Sequence, residues 1–331
     1  MTPALAAPLF VVSIALMLLA AAQFARRLDH VGLRLGLPEA LLGLLTALAA
    51  DAPEISSAIS ALVQHEHSVA VGVVVGSNAF NLAAMLGLSA VVTARVRARH
   101  ETLELEAFVG LWLLAVMIAL GAGGIRPAVG AALVAAVVVP YLVLLAAGHR
   151  LAQLLPLPES RFVERSFGDP HQPQRTLGSR WEAAALIGVL LLALVLIVAG
   201  SVGAVRAATD LADAWSVPDQ LVGVIVLAIL TSLPNAWTGV RFGLQQRGSA
   251  LISETLNSNS INIVAGLVVP AALGSFGAFS GLSVFDLAWL FGMTSVALVL
   301  FGKRGGAGRS AGVLLIALYA VFVAVQLADS F

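Results

Sequence analysis

Two acidic residues, Asp51 and Glu54, stand three positions apart in a stretch that is otherwise almost wholly apolar. Residues at i and i+3 share one helix face, so both carboxylates belong to one side of a helix. Carboxylates inside a bilayer are costly and mark an interior site with a partner. No Lys or Arg lies in the core of this segment to serve as that partner. A cation or a proton has to neutralise them. Further along, Ser77 and Asn81 are i and i+4, which sets a hydroxyl and an amide together. The second half of the chain adds Thr231, Ser232, Asn235, Ser258 and Asn262, with Glu254 on one helix stripe with the last two. An all-oxygen donor set of this kind suits Na⁺, Ca²⁺ or Mg²⁺ and disfavours soft metals. Cysteine is absent, which removes disulfides, thiolate metal sites and cysteine nucleophiles.

The elements that hold these residues follow from composition. Of 331 residues, 60% are hydrophobic and only 11% charged, where a soluble domain carries about 25% charged residues. That excludes a soluble α/β enzyme, a nucleic-acid binder and a disordered chain. A bilayer core about 30 Å thick needs ~20 apolar residues per helix. Ten such runs are present, near 4–24, 38–63, 68–92, 103–123, 126–148, 181–205, 217–243, 249–274, 282–302 and 310–328. The run near 103 is the weakest, because Glu104 and Glu106 lie at its start. The alternation that barrel strands need is missing, so the expected fold is all-α. The first run has no basic residues before it and Arg26 and Arg27 after it, which predicts an uncleaved helix.

The bases encode orientation. Loops after spans 1, 3, 5, 7 and 9 hold 16 of the 18 Arg and Lys, leaving Arg126 and Arg206 on the other side. Positive loops stay cytoplasmic, so both termini are expected outside a cell (inner or plasma) membrane crossed ten times. The stretch 149–180, rich in Pro, Gln and Arg, reads as a cytoplasmic linker between a first five-helix unit, 1–148, and a second, 181–331.

Each unit carries a version of one motif, over 37–87 and 217–267. The first reads Leu37-Pro-Glu-Ala-Leu-Leu-Gly43, Asp51-Ala-Pro-Glu54 and Gly76-Ser-Asn-Ala-Phe-Asn81. The second reads Val217-Pro-Asp-Gln-Leu-Val-Gly223, Thr231-Ser-Leu-Pro-Asn235 and Asn257-Ser-Asn-Ser-Ile-Asn262. Pro53 to Ser77 and Pro234 to Ser258 are both 24 residues; Pro53 to Asn81 and Pro234 to Asn262 are both 28. An odd number of spans separates the copies, so they enter the membrane from opposite sides, as in the inverted repeats of secondary transporters. Pro53 and Pro234 each remove a backbone hydrogen bond inside an apolar run, and in hydrocarbon the freed carbonyls need another partner.

These motifs resemble those of the calcium/cation antiporter superfamily, the sodium/calcium exchangers, whose two α-repeats carry a G-T-S-L-P-E-like and a G-S-N-x-F-N/D-like segment. The resemblance implies two inverted five-helix repeats, Ca²⁺ exchanged for Na⁺ by alternating access, and a site drawn from Asp51, Glu54, Ser77, Asn81, Thr231, Ser232, Asn235, Glu254, Ser258 and Asn262. The chain departs from that pattern in two places. Ala50-Asp51 replaces the Thr-Ser of the first repeat, and Asn235 replaces the glutamate of the second. Glu254, where many relatives carry asparagine, is expected to replace part of the lost carboxylate; an acid snorkelling to the cytoplasmic interface is the other reading.

A proton-coupled exchanger, or one moving K⁺, Na⁺ or Mg²⁺, stands beside the Ca²⁺/Na⁺ reading. An intramembrane aspartyl protease would need a Gly-x-Gly-Asp motif, which is absent, and a passive channel has little use for two inverted acid-bearing repeats; no enzyme is expected. The serines and asparagines also have a plain role as interhelical hydrogen-bond formers. Glu39 and Asp219 suit first-turn acids favoured by the helix dipole. His65 and His67 flank Glu66 in an outward loop, a surface segment or a metal-capture site. No cofactor is expected, and the partners are membrane lipid and transported cations, with no nucleic acid and no protein partner evident.

Overall fold

The structure is a computed structural model that describes residues 1–35, 47–97, 100–152, 180–272, 283–303 and 306–330. The proposed linker 149–180, apart from its helical first residues and its last, lies outside the described residues, as does the Leu37–Gly43 part of the first motif.

In chain order the helices are α1 (Pro3–Leu35), α2 (Ala52–Val63), α3 (His67–Thr93), α4 (His100–Gly121), α5 (Pro127–Ala152) and α6 (Arg180–Trp215). Then come α7 (Asp219–Thr231), α8 (Leu233–Leu244), α9 (Gly248–Ile263), α10 (Val284–Phe301) and α11 (Arg309–Ser330). Seven of these are long and apolar enough to cross a bilayer, and the pair α7–α8, bent by 47°, makes an eighth. The remaining two expected runs are helical where described, but α2 is short and α9 carries a polar stripe, so apolarity alone does not mark them. Among the described residues the departure from helix is a two-residue ladder, β1 (Arg95–Val96) against β2 (Ala307–Gly308), antiparallel, which ties the end of α3 to the start of α11.

The apolar surface is distributed as a lipid-facing shell requires. Val11, Leu19, Leu191, Leu192 and Val195 of α1 and α6 stand exposed, whereas α3 is almost wholly buried. In water such an exposed apolar belt would be an aggregation liability; around a bundle of long apolar helices it is the surface that meets hydrocarbon. α1 and α6 run antiparallel as one outer pair, with Gly200 and Gly203 of α6 admitting Ser13 and Met17 of α1.

The interior is built on broken helices. The chain is helical over 47–50, breaks at Asp51 and resumes as α2, with Pro53 in the first turn. The second copy breaks at Ser232 and resumes as α8, again with Pro in the first turn. Proline there has no N–H to lose from the new helix, but it leaves the carbonyls of Ala49 and Leu230 without their intrahelical donors. Both breaks fall beside the polar motif residues. π-helical turns follow the motifs in matched places, Leu82–Leu88 after Asn81 and Val264–Val268 after Asn262 and Ile263, and a third, Val222–Leu227, precedes Thr231. Such turns redirect side chains within a helix and are frequent at functional sites.

Glycine sets how closely these inner helices approach. A side chain at Gly76 would be driven into the Val224 carbonyl oxygen, and one at Gly223 into that of Val69. Small residues let membrane helices pack backbone to backbone. Gly76→Ala is therefore expected to destabilise the protein by about 1–3 kcal/mol, read as a lowered melting temperature in detergent. Gly110→Ala, whose new methyl would meet only Ser260 Oγ at 3.8 Å, should melt as the parent does.

Candidate functional site

The two helix breaks face each other, and α3 and α9 cross between them. Asp51 and Glu54 are both fully buried. Their partner is Asn235, from the other repeat: its Nδ2 donates to Asp51 Oδ1 at 2.7 Å and to Glu54 Oε1 at 2.9 Å. Only the NH₂ end of an amide can face two acceptors, so the carboxylates fix the orientation of Asn235. Ser258 Oγ adds a donated bond to Asp51 Oδ1 at 2.5 Å and accepts from Asn81 Nδ2 at 3.1 Å.

A second layer ties the crossing helices together with near two-fold symmetry. Asn78 Nδ2 donates to the Asn259 carbonyl at 3.0 Å, and Asn259 Nδ2 donates to the Asn78 carbonyl at 3.1 Å. Asn81 Nδ2 reaches Asn259 Oδ1 at 3.3 Å, and Asn262 Nδ2 reaches Asn78 Oδ1 at 3.2 Å. Each bond has its counterpart with the repeats exchanged, as the equal 24- and 28-residue spacings require.

What these bonds leave over has chemical meaning. Asp51 Oδ2, Glu54 Oε2, Ser77 Oγ, Asn81 Oδ1, Ser232 Oγ and Asn262 Oδ1 are all buried without a hydrogen-bond partner. Ordinary interiors leave few such groups. Unpartnered oxygens concentrated on residues of one motif pair are of the kind that ligates a hard cation. Among the described residues no three His, Asp or Glu side chains are grouped to hold a metal ion. An ion here would rest on two carboxylates and on neutral hydroxyl and amide oxygens.

A family model, sodium/calcium exchanger protein, matches residues 5–147 and 185–328. The chain belongs to the sodium/calcium exchanger family. The exchanger fold is also that of solved structures: the sodium-calcium exchanger NCX_Mj superposes with a TM-score of 0.61 at 20% identity over 98% of this chain and 99% of that one. Native YfkE gives 0.65 at 17% identity, over 97% and 91%. In sequence, the candidate antiporter CaxA of Alkalimonas amylolytica is 26% identical over 310 residues, 91% of each chain. Sodium/potassium/calcium exchanger 4 of Homo sapiens is 29% identical over 126 residues, 35% of this chain, and the match spans only 20% of that exchanger's length. Family membership places the chain among multi-pass membrane exchangers rather than enzymes.

In this exchanger the residues expected from the sequence separate into three groups. Asp51, Glu54, Asn81, Asn235 and Ser258 form one hydrogen-bonded cluster across the repeats. Ser77, Ser232 and Asn262 are buried in the same four helices, with Ser232 beside Glu54. Thr231 is buried too, but its hydroxyl turns back to the Leu227 carbonyl at 2.9 Å. Glu254 is 6% exposed, with Oε1 unpartnered, so it does not snorkel to the interface. It stands one turn before Ser258 on the same face of α9.

Sequence reasoning passed over Asn78 and Asn259, although both stand inside the quoted motifs. Their signal was the identical position in two repeats. At the loop between α2 and α3 the acids Glu66, Asp213 and Asp219 act on one another, and among the described residues no three His, Asp or Glu are grouped to hold a metal ion. Burial, then the negative charges of Asp219 and Asp213, pushes the Glu66 carboxyl up, against an opposing pull from His67 and His65.

Asn235→Leu keeps the shape but removes the shared donor, leaving Asp51 Oδ1 and Glu54 Oε1 short of a partner. The expected cost is about 1–3 kcal/mol or more, measured as a fall in melting temperature in cation-free detergent.

Proposed function

We propose that this chain is a secondary active cation antiporter that exchanges Ca²⁺ for Na⁺ by alternating access. The observation that carries this reading is the pair of fully buried carboxylates, each with one oxygen unpartnered. Among the described residues no base pairs with either. A buried ion without a counter-charge costs several kcal/mol, so the site resists emptying. A bound cation lowers that cost, and the loaded site can then turn to face the other side. Return without a cation carries both charges bare through the barrier, which favours exchange over leak.

The ten expected site residues divide the work. Asp51 and Glu54 supply the charge. Ser77, Asn81, Ser232 and Asn262 offer neutral oxygens, and Asn235, Ser258 and Thr231 orient or support them. Glu254 adds a third acid on the same stripe as Ser258 and Asn262, in partial compensation for the carboxylate missing at Asn235. Ions are cargo, no cofactor takes part, and bilayer lipid is the one other partner. A chain crossing ten times, termini outside, sets the start of α9 on the arginine-bearing cytoplasmic face. Ser258 lies ten residues into that helix, a depth of about 15 Å at 1.5 Å per residue, which is the midplane of a 30 Å hydrocarbon core. The α1–α6 pair, packed mainly on itself, is the natural moving body.

Proton coupling is the second reading. It is favoured by the asymmetry of the site, since both acids of the central pair come from the first repeat while the second supplies Ser232 and Asn235. Carboxylates without basic partners accept protons as readily as metal ions.

Vesicles bearing the protein should take up radioactive Ca²⁺ when a Na⁺ gradient is imposed, and Glu54→Gln or Asp51→Asn should abolish the uptake. Uptake driven by a pH gradient alone would select the proton-coupled reading. No Ca²⁺ flux under either gradient rejects calcium as cargo. Glu254→Gln should lower the rate and alter its pH dependence, whereas an unchanged profile removes Glu254 from the site.

A further inference from the structure

Glu106 of α4 is used by none of the chemistry above, yet it is as deeply placed as many core residues, at 6% exposed. Its Oε1 accepts from Ser253 Oγ and, at 3.4 Å, from Asn257 Nδ2, both on α9. Tyr141 of α5 closes the group, its hydroxyl donating to Asn257 Oδ1 at 2.6 Å. Glu106 Oε2 is buried with no partner, and so is Oε1 of Glu254, the residue after Ser253. No Lys or Arg is paired with either among the described residues. A group that only tied α4 to α9 would need one acceptor oxygen. Here a carboxylate keeps a second oxygen idle, and the residue next to its partner Ser253 is Glu254, with an idle carboxylate oxygen of its own.

Depth gives the pair a direction. Glu106 is six residues into α4 and Glu254 six residues into α9, so each lies about 9 Å below its helix start. Both starts belong to the face that carries Arg95, Arg97 and Arg247. Ser258, one turn beyond Glu254, donates to Asp51. Glu106 and Glu254 therefore stand at one depth, nearer that face than the central pair.

We propose that Glu106 and Glu254, with Ser253 and Asn257, form a second cation-binding station on the cytoplasmic side of the central site, which holds the transported ion on its way between cytoplasm and midplane. The inference rests on the antiporter reading and adds a site to it. Two carboxylates and neutral oxygens make it a station for a hard cation of the transported class. The mouth above it is arginine-bearing, so acids inside the entrance offset a field that repels cations.

Sidedness tests it. Glu106→Gln keeps the acceptor for Ser253 and removes one charge. In sealed vesicles of known orientation, the half-saturating Ca²⁺ concentration should rise about tenfold, equivalent to about 1.4 kcal/mol, when Ca²⁺ is presented at the cytoplasmic face. It should be unchanged from the outer face, with the maximal rate retained. Adding Ser253→Asp to Glu106→Gln returns a carboxylate to the same place and should restore cytoplasmic half-saturation, which a purely structural role for Glu106 would not produce. Equal half-saturation for parent and Glu106→Gln on both faces, or an equal loss on both that Ser253→Asp does not rescue, overturns the station. Failure of the parent to exchange Ca²⁺ at all is a different result, and it overturns the antiporter reading instead.

Discussion

One amide facing two carboxylates is the constraint on which the rest of the structure depends. Asp51 and Glu54 sit in an apolar interior where ions are poorly solvated, and Asn235 gives each one hydrogen bond and neither a counter-charge. Neutral donors of this kind reduce the cost of burying charge without cancelling it. The shortfall is the useful quantity, because in the proposed antiport it is what a transported cation would offset. A lysine at position 235 would satisfy the acids permanently and leave no place for cargo.

The broken helices follow from the same need. Donors from one repeat must reach acceptors of the other at mid-depth, and an unbroken helix turns its backbone groups inward on itself. Breaks at Asp51 and Ser232, with proline in the turn after each, place side chains at helix ends where they point at the opposing repeat. Close backbone approach at Gly76 and Gly223, and the reciprocal Asn78–Asn259 bonds, then hold the crossing rigidly. The outer α1–α6 pair shares little of this polar network, although Met17 does receive weak bonds from Ser57 and Ser201. The polar crossing and the outer α1–α6 pair are thus separate layers, joined by the packing of α2 against α6.

Much of this was legible in the residues. Charge content gave the membrane, and the 24- and 28-residue spacings gave the repeat. The i, i+3 acids and Asn81, singled out by spacing, are brought into one hydrogen-bonded cluster, because helix periodicity fixes which side chains share a face. Three things were not readable. Which amide meets which backbone carbonyl depends on how the repeats cross, so the Asn78–Asn259 exchange is not visible in the sequence. Glu106 looked like a flaw in a weak span, since one-dimensional hydropathy cannot distinguish an acid facing lipid from one facing α9. Within the expected span 249–274, the change from α-helix to a π-helical turn at Val264–Val268 is set by packing and leaves no mark in hydropathy.

Cation dependence of folding stability bears most directly on the claim that the central acids are stabilised by their cargo. A ligand that binds the native state alone raises the melting temperature as its concentration rises. Purified protein should melt higher with added Ca²⁺ or Na⁺. The Asp51→Asn, Glu54→Gln double variant, relieved of both buried charges, should melt higher than the parent without cations and show no further rise with them. Equal cation-induced shifts in parent and double variant, or no shift in the parent, would contradict the account.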